Sequence, residues 1–165
     1  MKHPKPIKPK QGQESVWAYP RPPKLERVSE LVEVIFNDRK IASTTKAWRV
    51  LETSHPPTIY IPREDVDLNV LVLSTRQTYC EWKGTGRYYH LQDDGLEVMN
   101  AAWFYDNPKA AFLSIKNHLS FYPSKVNSCY IGGEQVKAQE GDFYGGWITS
   151  KIVGPFKGGP KTFGW

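Results

Sequence analysis

The chain has 165 residues, 39% hydrophobic and 13% aromatic, enough to bury one core and consistent with a single domain or two small lobes sharing it. Its net charge of +5 is confined to one end. Residues 1–27 carry seven basic side chains against Glu14 and Glu26, and the other 138 residues hold 15 of each sign, which argues against a nucleic-acid groove on the folded body.

No run approaches the roughly 18 consecutive apolar residues of a membrane span, and the start lacks the apolar run of a secretory signal. The expected location is the cytoplasm. Cys80 and Cys129 have no C-x-x-C spacing, so neither a disulfide scaffold nor a zinc knuckle is indicated and reduced thiols are expected.

Taken in order, residues 1–14 are Lys-, Pro- and Gln-rich without a period and read as a disordered basic tail. Ser15–Tyr19 reads as a short strand carrying Trp17, followed by an extended proline-rich connector. A hairpin comes next: Leu31–Phe36, a turn at Asn37-Asp38, and Lys40–Thr44. Trp48–Thr53 is a strand with Trp48 and Val50 in core phase, and Glu52 falls unexpectedly in that same phase. Thr58–Ile61 is a proline-bracketed strand leading into one helical turn.

Leu68–Leu73 and Gln77–Trp82 read as strands, and Arg87–Leu91 closes a hairpin on the second of them. Gly84-Thr85-Gly86 supplies the turn. Alternation then puts Thr78, Cys80 and Trp82 on one face and Tyr79, Glu81 and Lys83 on the other. Leu96–Tyr105 is an apolar, aromatic strand. Asn107-Pro108 reads as the N-cap and first turn of one short helix to about Asn117, with Phe112, Ile115 and Leu119 as its buried stripe.

Leu119–Tyr122, Asn127–Ile131 and Glu134–Gln139 are further strands, the last two joined at Gly132-Gly133. The segment 151–165 is Gly- and Pro-rich yet keeps Phe156, Phe163 and Trp165. It is expected to fold back over apolar surface. The sequence therefore reads as all-β with one short helix, a body at 15–150 made of two lobes at about 15–92 and 93–150. An internal echo supports the two lobes: His55 before IYIPREDV parallels His118 before SFYPSKV, and VIFNDRKIAS parallels SCYIGGEQVKA.

At RVLETSHPP, TYCEWKG, FYPSKV and GDFYGGW the chain resembles the "domain of unknown function 427" family, over most of residues 15–150. The resemblance implies a mainly β fold of two tandem, tent-like antiparallel sheets, and a remote grouping with nucleotidyltransferases. The residues matching its motifs are Arg49, Glu52, Thr53, His55, Tyr60, Cys80, Lys83, Gly84, Tyr122 and Trp147.

Each candidate has two readings. Glu52 is either an acid/base or pocket hydrogen-bonding group, or a buried partner of Arg49 or Lys83. His55, before Pro56-Pro57, is a directed ring or a turn hydrogen-bonder. Cys80 is a nucleophile activated by Lys83 or His55, or a small buried hydrophobe. Trp17, Tyr60, Trp82, Tyr89, Trp103 and Trp147 line a cage for a planar or cationic ligand, or form core.

Asp65 and Asp67 have the carboxylate spacing of a two-metal transferase. The upstream Thr53-Ser54 lacks the glycine that such a site uses to hold phosphates, and turn-capping is the alternative. The expectation is a cleft that binds a small, flat, polar ligand without a cofactor. Arg49, Glu52 and Lys83 fix its polar edges, and Trp82, Trp103 and Trp147 stack on it. The competing class is an enzyme, either a Mg²⁺-dependent nucleotidyltransferase through Asp65 and Asp67 or a hydrolase using Glu52 and His55.

Overall fold

Asn37 and Asp38 both sit at positive φ, 51° and 60°, the two-residue turn whose twist matches that of its flanking strands. From that turn Val32, Val34 and Phe36 alternate inward while Glu33 and Ile35 stay half-buried. A computed structural model describes residues 3–165; Met1 and Lys2, the start of the expected disordered tail, lie outside the described residues.

In chain order the strands are β1 (Glu14–Ser15), β2 (Lys24–Val28), β3 (Val32–Phe36), β4 (Arg39–Thr44), β5 (Ala47–Leu51), β6 (Thr58–Tyr60), β7 (Leu71–Cys80) and β8 (Gly84–Asp93). They continue with β9 (Leu96–Phe104), β10 (Ser120–Phe121), β11 (Ser128–Ile131), β12 (Glu134–Gln135), β13 (Lys137–Ala138), β14 (Trp147–Ile148) and β15 (Ile152–Val153). The fold is mainly β. Three antiparallel sheets dominate, ordered β2-β5-β6, β12-β11-β3-β4 and β10-β9-β8-β7. No helix among the described residues is long and apolar enough to cross a membrane.

The echoing segments of the sequence face each other. The hairpins β3-β4 and β11-β12 share one sheet, joined along β3 and β11 with Val34 opposite Cys129. Ile61 and Leu119 exchange both backbone hydrogen bonds at 2.8 Å, which links the edge strand β6 to β10. Burial of Val32, Val34, Phe36, Ile59, Ile61, Leu91, Leu119, Phe121 and Trp147 makes the central core between these sheets.

Four local expectations are corrected. Ser15–Tyr19 is not one strand: Ser15 ends β1 and caps a 3-10 turn at Val16–Ala18 by accepting from Trp17 N–H. Leu68–Val70 is a 3-10 turn capped by Asp67, and Leu71–Leu73 and Gln77–Cys80 join into β7 with an irregularity between Leu73 and Gln77. The hairpin turn falls at Glu81–Lys83, because Gly84 at φ 109° pairs with Cys80. Trp82 and Lys83 therefore escape the strand alternation.

The predicted helix is a short 3-10 segment, Ala110–Ile115, broken at Phe112. Its ends are held from elsewhere: Lys109 N–H donates to Lys83 O and Asn117 N–H to Tyr105 O. Leu119 is thus a bridge residue beside Ile61 rather than part of a helical stripe.

The two ends of the chain lie together. Ile7 N–H donates to Gly154 O at 2.8 Å, Gln13 Nε2 to Ser150 O at 2.9 Å, and β1 pairs in parallel with β15. These bonds give the proline-rich arm from Ile7 onward a fixed course that its composition does not show. Trp17 donates to Pro155 O and packs 5.6 Å from Trp165. Phe163 departs from the expected back-folding and is 90% exposed.

Candidate functional site

Glu52 and His55 follow the end of β5, where Ser54 at φ 72° turns the chain and Pro56-Pro57 hold it extended toward β6. The Glu81–Lys83 turn projects from the far end of the β7-β8 hairpin. Between them opens a hollow of about 550 Å³ lined by Arg21, Glu52, Cys80, Trp82, Tyr144 and Lys157, among others. Beneath it lies an inner one of about 90 Å³, floored by Tyr60, Tyr88, Trp103, Tyr105 and Tyr122. Glu52, His55, Tyr79, Cys80, Lys83 and Tyr144 border both.

The floor is an aromatic cluster carrying hydroxyls. Trp103 stands edge-on to Tyr60 and donates its Nε1–H to the Tyr60 hydroxyl at 3.2 Å. Tyr122 packs 4.6 Å from Trp103 and donates to Phe143 O. Burial raises the proton affinity of Tyr105 and of Tyr122 well above the usual range, so both hydroxyls stay protonated and able to donate. Gly145, at φ 70°, lets the 139–147 segment lie on this cluster: a Cβ there would meet the Trp103 ring at 2.6 Å.

His55 is held in one tautomer by its neighbours. Gly146 N–H donates to Gln139 Oε1 at 3.0 Å, which turns the Gln139 amide nitrogen toward Lys157 O at 2.7 Å and His55 Nδ1 at 3.4 Å. Nδ1 accepts, so Nε2 carries the proton. It faces Glu52 Oε2 at 3.7 Å, and Tyr144 packs edge-on against the ring at 4.6 Å.

Burial, with Lys157, Arg21 and Lys83 nearby, lowers the His55 pKa from 6.5 to about 3. In this pH window the unfolded chain binds a proton that the folded chain does not, so stability contributed by neutral His55 is complete above pH 6.5 and declines as pH falls toward 3. His55→Gln should therefore flatten the rise of unfolding free energy between about pH 5 and 6.5, above the range where carboxylates titrate. Urea melts across that window would show it, and an unchanged slope would refute a neutral His55.

Lys83 is 9% exposed, with its ammonium 5.9 Å from the Tyr105 and Phe112 ring centres. Burial works against the charge, yet Tyr60, Cys80 and Glu52 outweigh it and its pKa is raised. Glu52 itself is turned to Arg21, 3.4 Å away, and to His55. Cys80 is half-buried beside Lys83 and borders both hollows.

The structure thus brings together Glu52, His55, Tyr60, Cys80, Trp82, Lys83 and Trp103. Three expected residues lie elsewhere. Arg49 is bound by Glu14 and Glu26, each at 2.5 Å, and faces a separate cavity of about 380 Å³ beside Trp147. Trp147 is 1% exposed, in the central core, and donates to Phe121 O at 3.0 Å. Tyr89 stacks on Phe104 at 4.7 Å and accepts from Arg63.

Asp65 accepts from Thr44 at 2.7 Å, whereas Asp67 pairs with Arg39 at 3.3 Å and caps Asn69 N–H. The two carboxylates serve different partners. No group of three His, Cys, Asp or Glu side chains among the described residues is arranged to hold a metal ion.

Sequence reasoning missed Arg21, Tyr105, Tyr144, Lys157 and Trp165 as parts of this cleft. Tyr144 stands in the GDFYGGW motif and carried a signal. The others arrive only through long-range packing. A family model described as "Domain of unknown function (DUF427)" matches residues 24–132, which takes in the inner hollow's lining from Val50 to Tyr122 and leaves out Arg21, Phe143, Tyr144, Lys157 and Trp165. No curated protein matches the chain.

Proposed function

The chain belongs to the family described as domain of unknown function DUF427, and from that premise we propose that it binds a small, flat, polar ligand in the cleft between the Glu52–His55 loop and the Glu81–Lys83 turn. The observation that carries this reading is the meeting of those two segments across an open, ring-lined hollow. Solid packing there would have left no room for a ligand.

Rings supply the flat surfaces and charges the edges. Trp82 and Tyr144 flank the outer hollow, and Tyr60 and Trp103 floor the inner one beneath it. A ring inserted between such faces gains apolar burial together with offset or edge-on contact, about 0.5–1.5 kcal/mol per aromatic pair beyond the area term. Glu52 offers an acceptor, and His55 Nε2–H and Lys83 offer donors. The separate reading of His55 as a general base has less support, since its cavity-facing nitrogen already carries the proton. The ligand is a soluble small molecule met in the cytoplasm, and neither nucleic acid nor membrane enters this reading.

A thermal-shift panel tests it. Nucleosides, cyclic amides and amines presented without metal should include compounds that raise the melting temperature, by about 2.7 kcal/mol of added stability at a concentration 100 times Kd. Trp82→Ala should weaken every such hit. Hits that ignore this substitution would place binding outside the cleft, and stabilisation confined to nucleoside triphosphates with Mg²⁺ would favour the transferase class instead.

A further inference from the structure

Among the described residues Lys83 is the one lysine or arginine that is buried, and its surroundings differ from those of the half-buried Arg49. Arg49 has Glu14 and Glu26 on its guanidinium. Lys83 is more deeply buried, and among the described residues no carboxylate oxygen lies within 4.0 Å of its ammonium, Glu52 being engaged by Arg21. Burial costs this ammonium its hydration, its neighbours favour the charge without a carboxylate in contact, and it borders both hollows.

The groups around it are donors. His55 presents Nε2–H. Tyr60 accepts from Trp103 and keeps its own hydroxyl proton to give. Tyr105 stands protonated beside them. Lys157 and Arg21 add positive charge at the mouth, against Glu81 as the other acidic side chain of the outer hollow.

We infer that the ligand carries a carboxylate, seated in the inner hollow on Lys83 with donors from His55 and the Tyr60 hydroxyl, its flat body lying between Trp82 and Tyr144. This inference rests on the binding reading above and names the ligand's chemical class. The inner space of about 90 Å³ takes a group of a few atoms. A single buried ammonium balances a single negative charge. A dianion would set its second charge beside Glu52, with Lys157 and Arg21 farther out at the mouth.

The experiment is a titration of wild-type protein with three matched probes, benzoate, benzamide and phenylphosphonate, followed by ligand-observed NMR. Benzoate should bind roughly tenfold or more tightly than benzamide, the scale of a hydrogen bond to a charged group, and Lys83→Met should erase that preference. Phenylphosphonate should bind more weakly than benzoate. Equal affinities for benzoate and benzamide, a preference for phenylphosphonate, or no binding of benzoate at millimolar concentration would each overturn the proposal. If the acid and the amide bind equally and Trp82→Ala weakens both, the cleft remains a ligand site and only the carboxylate assignment falls. The wild-type comparison stands even where Lys83→Met is poorly folded.

Discussion

Trp147→Ala should lower the unfolding free energy by about 3–5 kcal/mol, the range for truncating a large aromatic side chain in a packed core. Trp147 is 1% exposed and packs in the central core. Its indole N–H satisfies Phe121 O at 3.0 Å, so alanine leaves both a cavity and a carbonyl without its donor. Against a total stability of about 5–15 kcal/mol this approaches unfolding, and the melting temperature should fall by roughly 10 °C or more. Urea denaturation with fluorescence detection measures it. A loss below about 1 kcal/mol, coupled to loss of ligand binding, would return Trp147 to the stacking role that its sequence motif suggested.

Lys83→Met should act in the opposite direction on the free protein. An ammonium this deeply buried gives up its hydration, and an apolar side chain of similar length removes that cost without stranding a carboxylate at contact distance among the described residues. The ring faces of Tyr105 and Phe112 around it are well suited to a thioether. Chemical denaturation should show a raised midpoint while ligand affinity collapses. A destabilised variant would mean that Lys83 holds the hairpin turn in place and is not kept for binding.

The two substitutions probe a division that alternation could not reveal. Strand phase correctly put Val50 inside, and the Asn37-Asp38 turn was legible because few residues tolerate positive φ at two successive positions. The pairing of the Glu52 loop with the Cys80–Lys83 region was legible through motif residues. The tip of that hairpin was not. Gly84 could serve as a turn centre or as the glycine closing a three-residue turn, and only the register Cys80 opposite Gly84 decides between them.

Arg49 illustrates a second limit. Its fate follows from the register that sets Glu26 across from it on β2 and from the arm that brings Glu14 alongside. Neither contact leaves a local trace in the sequence. The cleft's rim is hidden for the same reason: Arg21, Lys157 and Trp165 are distant in sequence and meet because both chain ends pack near the Glu52 loop. The predicted helix failed on a different ground. Its apolar spacing was real, but Phe112 and Ile115 are buried from a broken 3-10 turn, where a similar spacing arises without the hydrogen-bond ladder.

The seam between β3 and β11 has a consequence for biosynthesis. During translation the β3-β4 hairpin emerges early, whereas the strand that covers its other side, Ser128–Ile131, leaves the ribosome only after three long strands have followed. Until then Val32–Phe36 presents bare amides and carbonyls to its surroundings, the kind of open border on which nascent chains associate with one another. Maturation of this protein is therefore a late, closing event, and chaperone dependence in the cell should centre on that interval.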